Sequence, residues 1–343
     1  MKSALVFVYV YLFVCAIIPL IRKLAFAFNI LDHPGGRKVH KAPTPLLGGV
    51  AIFLGFACGF LFNFTQLYFL MPVFLGALII FVVGLLNDIR ELSVRVRLFF
   101  QILASLVVMS SGMRISFLPN TLWGNITEVV ITLIWIVGLT NAFNYLDGLD
   151  GLAAGSCIIN LLAFIAILYM TGQYPMGLLA IILIAGCAAF LPYNFEKKIF
   201  LGDSGSTFLG FMLACFSFTG HWAGNDIVKI SIPILILGVP IFDMVFTTIV
   251  RIKEGNVKTV LEWLRYSGKD HFHHSLVELG LSPRAAVFFI YCATFSLGLS
   301  AIMVSNDSVY EAFLSLAQSF IIFAIIGNLI IAGKRHCSGW GPS

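Results

Sequence analysis

Two carboxylates that could do chemistry stand in the stretch NAFNYLDGLDGLAAG, residues 141–155. Four polar residues repeat there at three-residue spacing: Asn141, Asn144, Asp147 and Asp150. On a helix this spacing keeps side chains near one side, and the glycines after each aspartate would let the backbone approach a ligand closely. The alternative is a helix that simply ends in a polar turn. Because ionisable residues at a membrane edge are costly to bury, the pattern favours a functional site.

A third carboxylate, Asp203, lies in FLGDSGSTFLGF, residues 200–211. GDSG also occurs around the nucleophile of trypsin-like proteases, but those are secreted β-barrels and nothing else here fits that context. A carboxylate in a Gly/Ser turn that opens an apolar helix can ligate Mg²⁺, and the helix N-terminus leaves room for phosphate. Asp203 or Ser204 could equally be an ordinary N-cap, and both functions are compatible.

Three histidines, His271, His273 and His274, stand in GKDHFHHSL. No further histidine or cysteine follows at metal spacing, so we expect no zinc site. Imidazoles beside a pyrophosphate fit this basic segment better. Just upstream, the apolar residues of 257–264 fall on one face, which predicts a short amphipathic helix at the membrane surface.

A Pro/Gly-rich segment, residues 31–49, carries Arg37, Lys38 and His40 close together. These residues could form an anion-binding loop for phosphate. Taken alone, however, they are better explained as the positive charge typical of any loop on the basic side of a membrane protein.

The stretch LLNDIRELSVRVR, residues 85–97, places Asn87 and Asp88 directly after an apolar run. Asp88 could be a solvated loop residue or a surface ion pair with Arg90, which would be worth little. Taken alone, this stretch decides nothing.

The whole chain must position these residues within a membrane. Of its 343 residues 59% are hydrophobic and 11% charged, with a mean hydropathy of +0.99, whereas soluble domains carry about 25% charge. Lipid forces spanning segments to be helical, so we predict an all-α polytopic membrane protein. Eleven apolar runs are candidate spans: 4–27, 46–64, 68–86, 97–113, 127–145, 152–171, 176–193, 205–222, 227–250, 284–304 and 310–333.

Alternating these eleven runs through a bilayer sorts the charges. With the N-terminus outside and the C-terminus cytoplasmic, every basic residue except Lys2, Arg114 and Lys229 falls inside, as the positive-inside rule requires. The polar motifs meet at the same face, which predicts an active site at the cytoplasmic side. We expect a retained first helix, one integral domain over 1–343 with a cytoplasmic loop at 251–283, reduced cysteines and no nucleic-acid partner.

The five motifs, in their order along the chain, resemble the polyprenyl-phosphate N-acetylhexosamine-1-phosphate transferases, a glycosyltransferase family 4 group. The resemblance runs from about residue 30 to 280. It implies transfer of a sugar-1-phosphate, with GlcNAc-1-phosphate expected, from a UDP-sugar to undecaprenyl phosphate. UMP is released, the cofactor is Mg²⁺ with Mn²⁺ as an alternative, and the lipid-linked product would start O-antigen or another envelope glycan in the bacterial inner membrane.

The resemblance also implies residue roles. Asp203 and Asn144 would hold the metal, residues 147–151 would hold the nucleotide with Asp150 toward the uracil, and the histidines would contact phosphate or sugar. The residues expected to be catalytic are Asp88, Asp147, Asp150, Asp203, His273 and His274. Those expected to bind substrate are Arg37, Lys38, His40, Asn87, Asn141, Asn144, Gly148, Leu149 and His271.

Two departures from the family pattern bear on these roles. The family usually has two adjacent aspartates where this chain has Asn87 and Asp88, so a base proposed for the first of them has no counterpart. Either no base is needed, because a phosphomonoester is largely dianionic at pH 7, or Asp88 serves, or activity is lowered. Glu91 and HFHH stand where the peptidoglycan enzyme carries lysine and three histidines, which argues against the alternative phospho-MurNAc-pentapeptide substrate.

A secondary transporter is the alternative from another class. Transporters place polar residues near the midplane and often contain inverted repeats. This chain has no internal repeat, and most of its polar residues lie at one predicted face.

Overall fold

A computed structural model describes residues 2–32, 43–259, 262, 266, 268, 270–306 and 308–338 of the chain. Within them the protein is almost wholly helical, with a two-residue antiparallel ribbon that pairs Leu31–Asp32 (β1) with Thr44–Pro45 (β2). The helices of the first part are α1 (Lys2–Ala27), α2 (Gly48–Phe62), α3 (Phe64–Leu67), α4 (Met71–Ile89), α5 (Val94–Met109), α6 (Leu122–Leu146), α7 (Leu152–Met170), α8 (Tyr174–Phe195) and α9 (Gly202–Thr219); α3 is a single turn. They are followed by α10 (Asp226–Ile236), α11 (Gly238–Lys253), α12 (Phe272–Glu278), α13 (Pro283–Val304) and α14 (Val309–Ser338).

The predicted all-helical membrane fold is confirmed. Among the described residues, seven helices are long and apolar enough to cross a bilayer, and an eighth span is formed if α10 and α11, which meet at a 77° bend, are taken together. The remaining three predicted runs correspond to α2, α5 and α9, which are shorter or less apolar. Helices therefore occupy all eleven runs, and the count of eleven crossings stays a prediction.

The chain divides into two compact units, Met1–His221 and Trp222–Ser343. The single domain expected from the sequence stays a prediction.

In the first unit α9 is the central helix, and every residue from Ser204 to Ser217 is buried. It packs on α2, α4 and α6. Its contact with α2 is very close: a Cβ added at Gly49 would lie 2.2 Å from the backbone nitrogen of Gly205. Only glycine allows two helices to approach this closely, and the first turn of α9 is thereby fixed against its neighbours.

In the second unit α10 and α11 form the bent pair, and α12 is a helix of only seven residues. α10 packs against α13 and α14, and α12 packs against α13. An isolated helix as short as α12 is unstable in water, so its position depends on contacts made by its neighbours.

Candidate active site

Asp203 lies in the first turn of α9 and contacts Asn144 from the last turn of α6. The amide nitrogen of Asn144 donates to Oδ1 of Asp203 at 2.9 Å and to Oγ of Ser206 at 2.8 Å. Asp203 and Asn144, which the sequence predicted to work together, are therefore in direct contact. Ser206 was not predicted, although it stands in the same GDSGS motif one turn after Gly202.

Asp88, the penultimate residue of α4, binds the start of α9. Its Oδ1 accepts from the backbone N–H of Asp203 at 2.7 Å, and its Oδ2 accepts from that of Ser204 at 3.0 Å. Leu201, the N-cap residue of α9, makes no side-chain capping bond. A local cap by Asp203 or Ser204 is thus wrong, because a carboxylate from another helix satisfies these two donors. The catalytic role of Asp88 stays a prediction.

Asn87 bridges the same helix start to the loop after α4. Its amide nitrogen donates to Oδ2 of Asp203, and its amide oxygen accepts from the backbone N–H of Leu92 at 2.8 Å. The residue that replaces the family's first aspartate therefore acts here as a hydrogen-bond donor to Asp203, which an ionised aspartate could not do.

Arg97, in the first turn of α5, is a site residue that the sequence analysis missed. One of its terminal nitrogens lies 3.3 Å from Oδ2 of Asp203, and both side chains are 29% exposed. A partly exposed ion pair contributes little to stability, but it places a positive charge beside Asp203. The signal was its spacing, because Arg97 and Gln101 lie one turn apart in an otherwise apolar run.

Asn141 lies one turn before Asn144 and does not reach Asp203. Its amide nitrogen donates to Oε1 of Gln101 at 2.8 Å, and its amide oxygen accepts from Nε2 of Gln101 at 3.3 Å. This reciprocal amide pair joins α5 to α6. The substrate-binding role predicted for Asn141 stays untested, and its observed partners are structural.

The turn between α6 and α7 contains Asp147, Gly148, Leu149 and Asp150. Burial, followed by the negative charges of Asp203, Asp88 and Asp150, raises the pKa of Asp147 to about 8. Asp147 is therefore largely protonated at neutral pH when no cation is bound.

Asn194, near the end of α8, holds this turn in place. Its amide oxygen accepts from the backbone N–H of Gly151 at 2.6 Å, and its amide nitrogen donates to the carbonyl of Ile199 at 3.0 Å. Lys197 lies 3.5 Å from Oδ2 of Asp150. Neither Asn194 nor Lys197 was predicted, because they come from a segment without a recognisable motif.

In the second unit, the first of the three motif histidines has internal partners. Nδ1 of His271 lies 3.0 Å from Oδ2 of Asp243, and its Nε2 lies 3.1 Å from a terminal nitrogen of Arg251. Oδ1 of Asp243 accepts from the backbone N–H of Phe272 at 2.7 Å.

Arg251, which is 1% exposed, is held on two further sides. It donates to both carboxylate oxygens of Asp270, at 2.6 and 2.7 Å, and its guanidinium carbon lies 4.6 Å from the centre of the Tyr266 ring. Burial would raise the pKa of Asp270, but its hydrogen bonds and charge pairing with Arg251 outweigh burial and lower it. The pair is therefore ionised at neutral pH.

His273 is buried and its ring centre lies 4.1 Å from that of His274. Burial, followed by repulsion from His274, lowers the pKa of His273 to about 3. His273 is thus neutral at physiological pH, so it could meet a phosphate only as a neutral hydrogen-bond donor.

Three predicted substrate-binding residues, Arg37, Lys38 and His40, lie outside the described residues. Residues 260, 261, 263 and 264 of the amphipathic helix expected at 257–264 also lie outside them, whereas Val257 is described and buried.

The site residues fit a hard cation that also binds its substrate. No group of three or more His, Cys, Asp or Glu side chains within the described part of the chain is arranged to hold a metal alone. Mg²⁺, however, usually binds through one or two carboxylates together with substrate phosphates and water. Asp203 offers a partly exposed carboxylate, and both recorded hydrogen bonds of the Asn144 side chain use its nitrogen, which leaves its amide oxygen as a further ligand.

The fold and the site thus define a multi-pass membrane protein with a carboxylate–amide cluster at its helix ends. The sequence profile of glycosyl transferase family 4 matches residues 70–221, which include Asp88, Asn144 and Asp203. A probable undecaprenyl-phosphate N-acetylglucosaminyl 1-phosphate transferase from Bacillus subtilis (strain 168) is 36% identical over 334 residues, covering 95% of this chain and 89% of the relative. The chain therefore belongs to glycosyl transferase family 4.

Two further relatives are named for similar activities. A decaprenyl-phosphate N-acetylglucosaminephosphotransferase from Mycobacterium tuberculosis (strain H37Rv) is 32% identical over 308 residues, 79% of this chain and 74% of the relative. An undecaprenyl-phosphate alpha-N-acetylglucosaminyl 1-phosphate transferase from Yersinia pestis is 27% identical over 335 residues, 94% of this chain and 90% of the relative.

Proposed function

We propose that this chain transfers N-acetylglucosamine-1-phosphate from UDP-N-acetylglucosamine to undecaprenyl phosphate and releases UMP. The observation that carries the proposal is the contact of Asp203 with both Asn144 and Arg97 at the first turn of α9. The names of the relatives support the sugar and the polyprenyl acceptor. The lipid-linked product would start an envelope glycan such as lipopolysaccharide O-antigen.

The reaction joins two anions. A phosphate oxygen of the lipid attacks the β-phosphorus of the UDP-sugar, and the bond from that phosphorus to the oxygen that bridges to UMP breaks. Because both reactants are negatively charged, the site must supply positive charge and fix their positions. Arg97 and the N-terminus of α9 contribute positive potential at Asp203. Mg²⁺, or Mn²⁺ in its place, held by Asp203 and Asn144, would stabilise the charge that develops on UMP.

No general base is required in this proposal. Asn87 has no proton-accepting carboxylate, and both carboxylate oxygens of Asp88 are occupied by backbone N–H groups of α9. A phosphomonoester has a second pKa near 6, so most of the lipid phosphate is already dianionic at pH 7. The nucleophile therefore arrives deprotonated, and Asp88 serves to hold α9 in position.

The site must be reached by a soluble nucleotide and by a lipid head group. We place it at the cytoplasmic face of the bacterial inner membrane, with the N-terminus outside and the C-terminus in the cytoplasm. The one-sided distribution of basic residues supports this orientation. The same bias would attract anionic substrates.

The test uses the purified protein in detergent with undecaprenyl phosphate and a panel of UDP-GlcNAc, UDP-GalNAc and UDP-MurNAc-pentapeptide. We expect UMP release and a lipid-linked product of the corresponding mass with UDP-GlcNAc, and loss of both with EDTA. Product with UDP-MurNAc-pentapeptide alone would favour the peptidoglycan alternative. Uptake of a sugar nucleotide into vesicles without UMP release would favour a transporter, which membership of a glycosyl transferase family already disfavours.

A further inference from the structure

Asp243 is a buried carboxylate in the middle of α11, and no substrate role accounts for it. Asp243 is 1% exposed, and both of its carboxylate oxygens accept hydrogen bonds from the segment that begins α12. We propose that Asp243 is a positioning residue, which fixes His271 and the first turn of α12 and thereby sets the placement of His273 and His274. The catalytic consequence rests on the proposed function, whereas the structural consequence does not.

Hydrogen-bond chemistry determines how His271 is held. An ionised carboxylate only accepts, so Nδ1 of His271 carries the proton that faces Asp243. A guanidinium only donates, so Nε2 of His271 must accept from Arg251. Both ring nitrogens of His271 therefore have protein partners, and these partners fix the orientation of the ring. This assigns His271, which the sequence placed among the substrate-binding residues, to a supporting role.

The second bond of Asp243 fixes the helix itself. Oδ1 accepts from the backbone N–H of Phe272, the first residue of α12. Since α12 has only seven residues, its own hydrogen bonds cannot keep it folded in isolation. The cap on Phe272 and the contact with the ring of His271 therefore orient α12. They thereby set the direction of the turn that carries His273 and His274.

Arg251 closes the network on its far side. Its bidentate contact with Asp270 and its position over the ring of Tyr266 favour one orientation of its guanidinium. Buried ionic networks are rarely the most stable solution, because well-packed apolar side chains often do as well or better. What such a network adds is a defined geometry, which fixes how α12 holds His273 and His274.

The test compares Asp243→Asn with a matched control, Asp226→Asn, which makes the same chemical change at an exposed residue of α10. An asparagine has one acceptor oxygen for two donors, so one of the two bonds is lost. We expect kcat to fall about tenfold to a hundredfold, as for other supporting residues, with KM for the UDP-sugar nearly unchanged. Asp243→Glu, which restores two acceptor oxygens, should recover part of the loss. Backbone hydrogen exchange of residues 272–278 should rise, while the control matches the wild type in all three measurements.

A double variant separates positioning from an independent role. If Asp243 acts through His271, then Asp243→Asn and His271→Ala should be non-additive, with the double variant no slower than the worse single one. Losses that multiply, or wild-type exchange in 272–278 of Asp243→Asn, would overturn the proposal.

Two other results, an inactive wild type and an unfolded variant, can be told apart from failure of the proposal. If the wild type releases no UMP, the proposed function fails, while the hydrogen-exchange comparison still decides whether Asp243 positions α12. If Asp243→Asn does not fold, His271→Asn and His271→Leu replace it. The asparagine amide can donate to Asp243 as Nδ1 does, so residues 272–278 should stay protected in His271→Asn and exchange faster in His271→Leu. Equal exchange in the two variants would contradict the proposal.

Discussion

Asp88 in the first unit and Asp243 in the second unit both cap the start of another helix, but they use their two carboxylate oxygens differently. Each is borne by an apolar helix, and each accepts hydrogen bonds from the backbone at the start of a different helix that carries a motif. Asp88 gives both oxygens to α9, where GDSGS begins. Asp243 gives one oxygen to α12 and the other to the ring of a motif histidine.

Because of this difference, one carboxylate near the capped helix start stays accessible in the first unit, whereas the polar side chains around Asp243 are buried. At the start of α9 the carboxylate cap frees Asp203 from capping, and the side chain of Asp203 remains 29% exposed to meet a ligand. In the second unit the polar atoms satisfy one another, and Arg251 is 1% exposed. The first arrangement leaves a carboxylate accessible, as the proposed cation site requires, whereas the polar groups of the second are enclosed by one another.

The largest effect is expected from Asp203→Asn. The change removes the charge that faces Arg97 and the metal ligand proposed for Mg²⁺, so UMP release should fall by about a thousandfold. The thermal unfolding midpoint should fall only slightly: asparagine loses one of the two acceptor oxygens of Asp203, but this side chain is 29% exposed and water can replace the lost bond. Asp226→Asn is the control, and near-normal turnover of Asp203→Asn would remove the basis of the proposed site.

Asp88→Asn should mainly lower stability. It leaves one of the two N–H groups at the start of α9 without an acceptor, so the unfolding free energy should fall by about 1–2 kcal/mol. UMP release should fall by roughly tenfold through misplacement of Asp203, which corresponds to about 1.4 kcal/mol. Complete loss of turnover with an unchanged unfolding midpoint would instead make Asp88 a chemical participant.

Gly202→Ala should lower the stability of the protein more than Gly172→Ala, although both glycines have φ of +72°. An alanine in this left-handed conformation costs about 1–2 kcal/mol at either position. At Gly202 the added Cβ would also lie 2.3 Å from the carbonyl oxygen of Leu46 and 2.7 Å from Oδ2 of Asp88, whereas nothing lies within 4 Å at Gly172. Thermal unfolding should rank the two variants in this order, and only Gly202→Ala should slow UMP release.

Asp147 should make the metal-free protein less stable as pH rises. Its folded pKa of about 8 exceeds its unfolded value near 3.8, so the folded state binds the extra proton and loses stability between these two pH values. In EDTA, Asp147→Asn should match the wild type at pH 4 and unfold at a higher temperature at pH 9. Parallel pH curves for the two proteins would show that this carboxyl is not held protonated.

Titration of His273 should change the stability of the protein with pH in the opposite direction to that of Asp147. Its folded pKa of about 3 lies below its unfolded value of 6.5, so the unfolded state binds the extra proton and stability falls as pH drops through this window. The slope is at most about 1.4 kcal/mol per pH unit. His273→Gln should flatten this slope in thermal unfolding between pH 6.5 and 4, and an unchanged slope would place the titration elsewhere.

The sequence predicted correctly that Asn144 and Asp203 lie together, but it did not predict which residues support them. Spacing and the common membrane face predicted that Asn144 and Asp203 would converge, and they do. Asn141 was grouped with Asn144, but a step of three residues turns a helix by about 60° short of a full circle. That rotation is enough to point Asn141 at Gln101 instead of Asp203.

The supporting residues were harder to find, because their roles depend on tertiary contacts. Asp88 contacts residues 115 and 116 positions away, and its neighbours in sequence give no sign of the helix it caps. Asp243 had a visible signal, since it is an acid inside an apolar run, but its partner is His271, 28 residues later. For the same reason His271 looked like its two neighbouring histidines until the structure showed both of its nitrogens occupied.

The short length of α2 has a consequence for the surrounding lipid. Its 15 residues extend about 22 Å, whereas the hydrocarbon core of a bilayer is about 30 Å thick. Its first turn abuts the start of α9, so Asp203 shares the depth at which α2 begins. If α2 crosses the bilayer, this mismatch must be absorbed by local thinning or by a recess in the protein surface. Acyl-chain length in the host membrane would then tune how easily a lipid head group descends to the carboxylate.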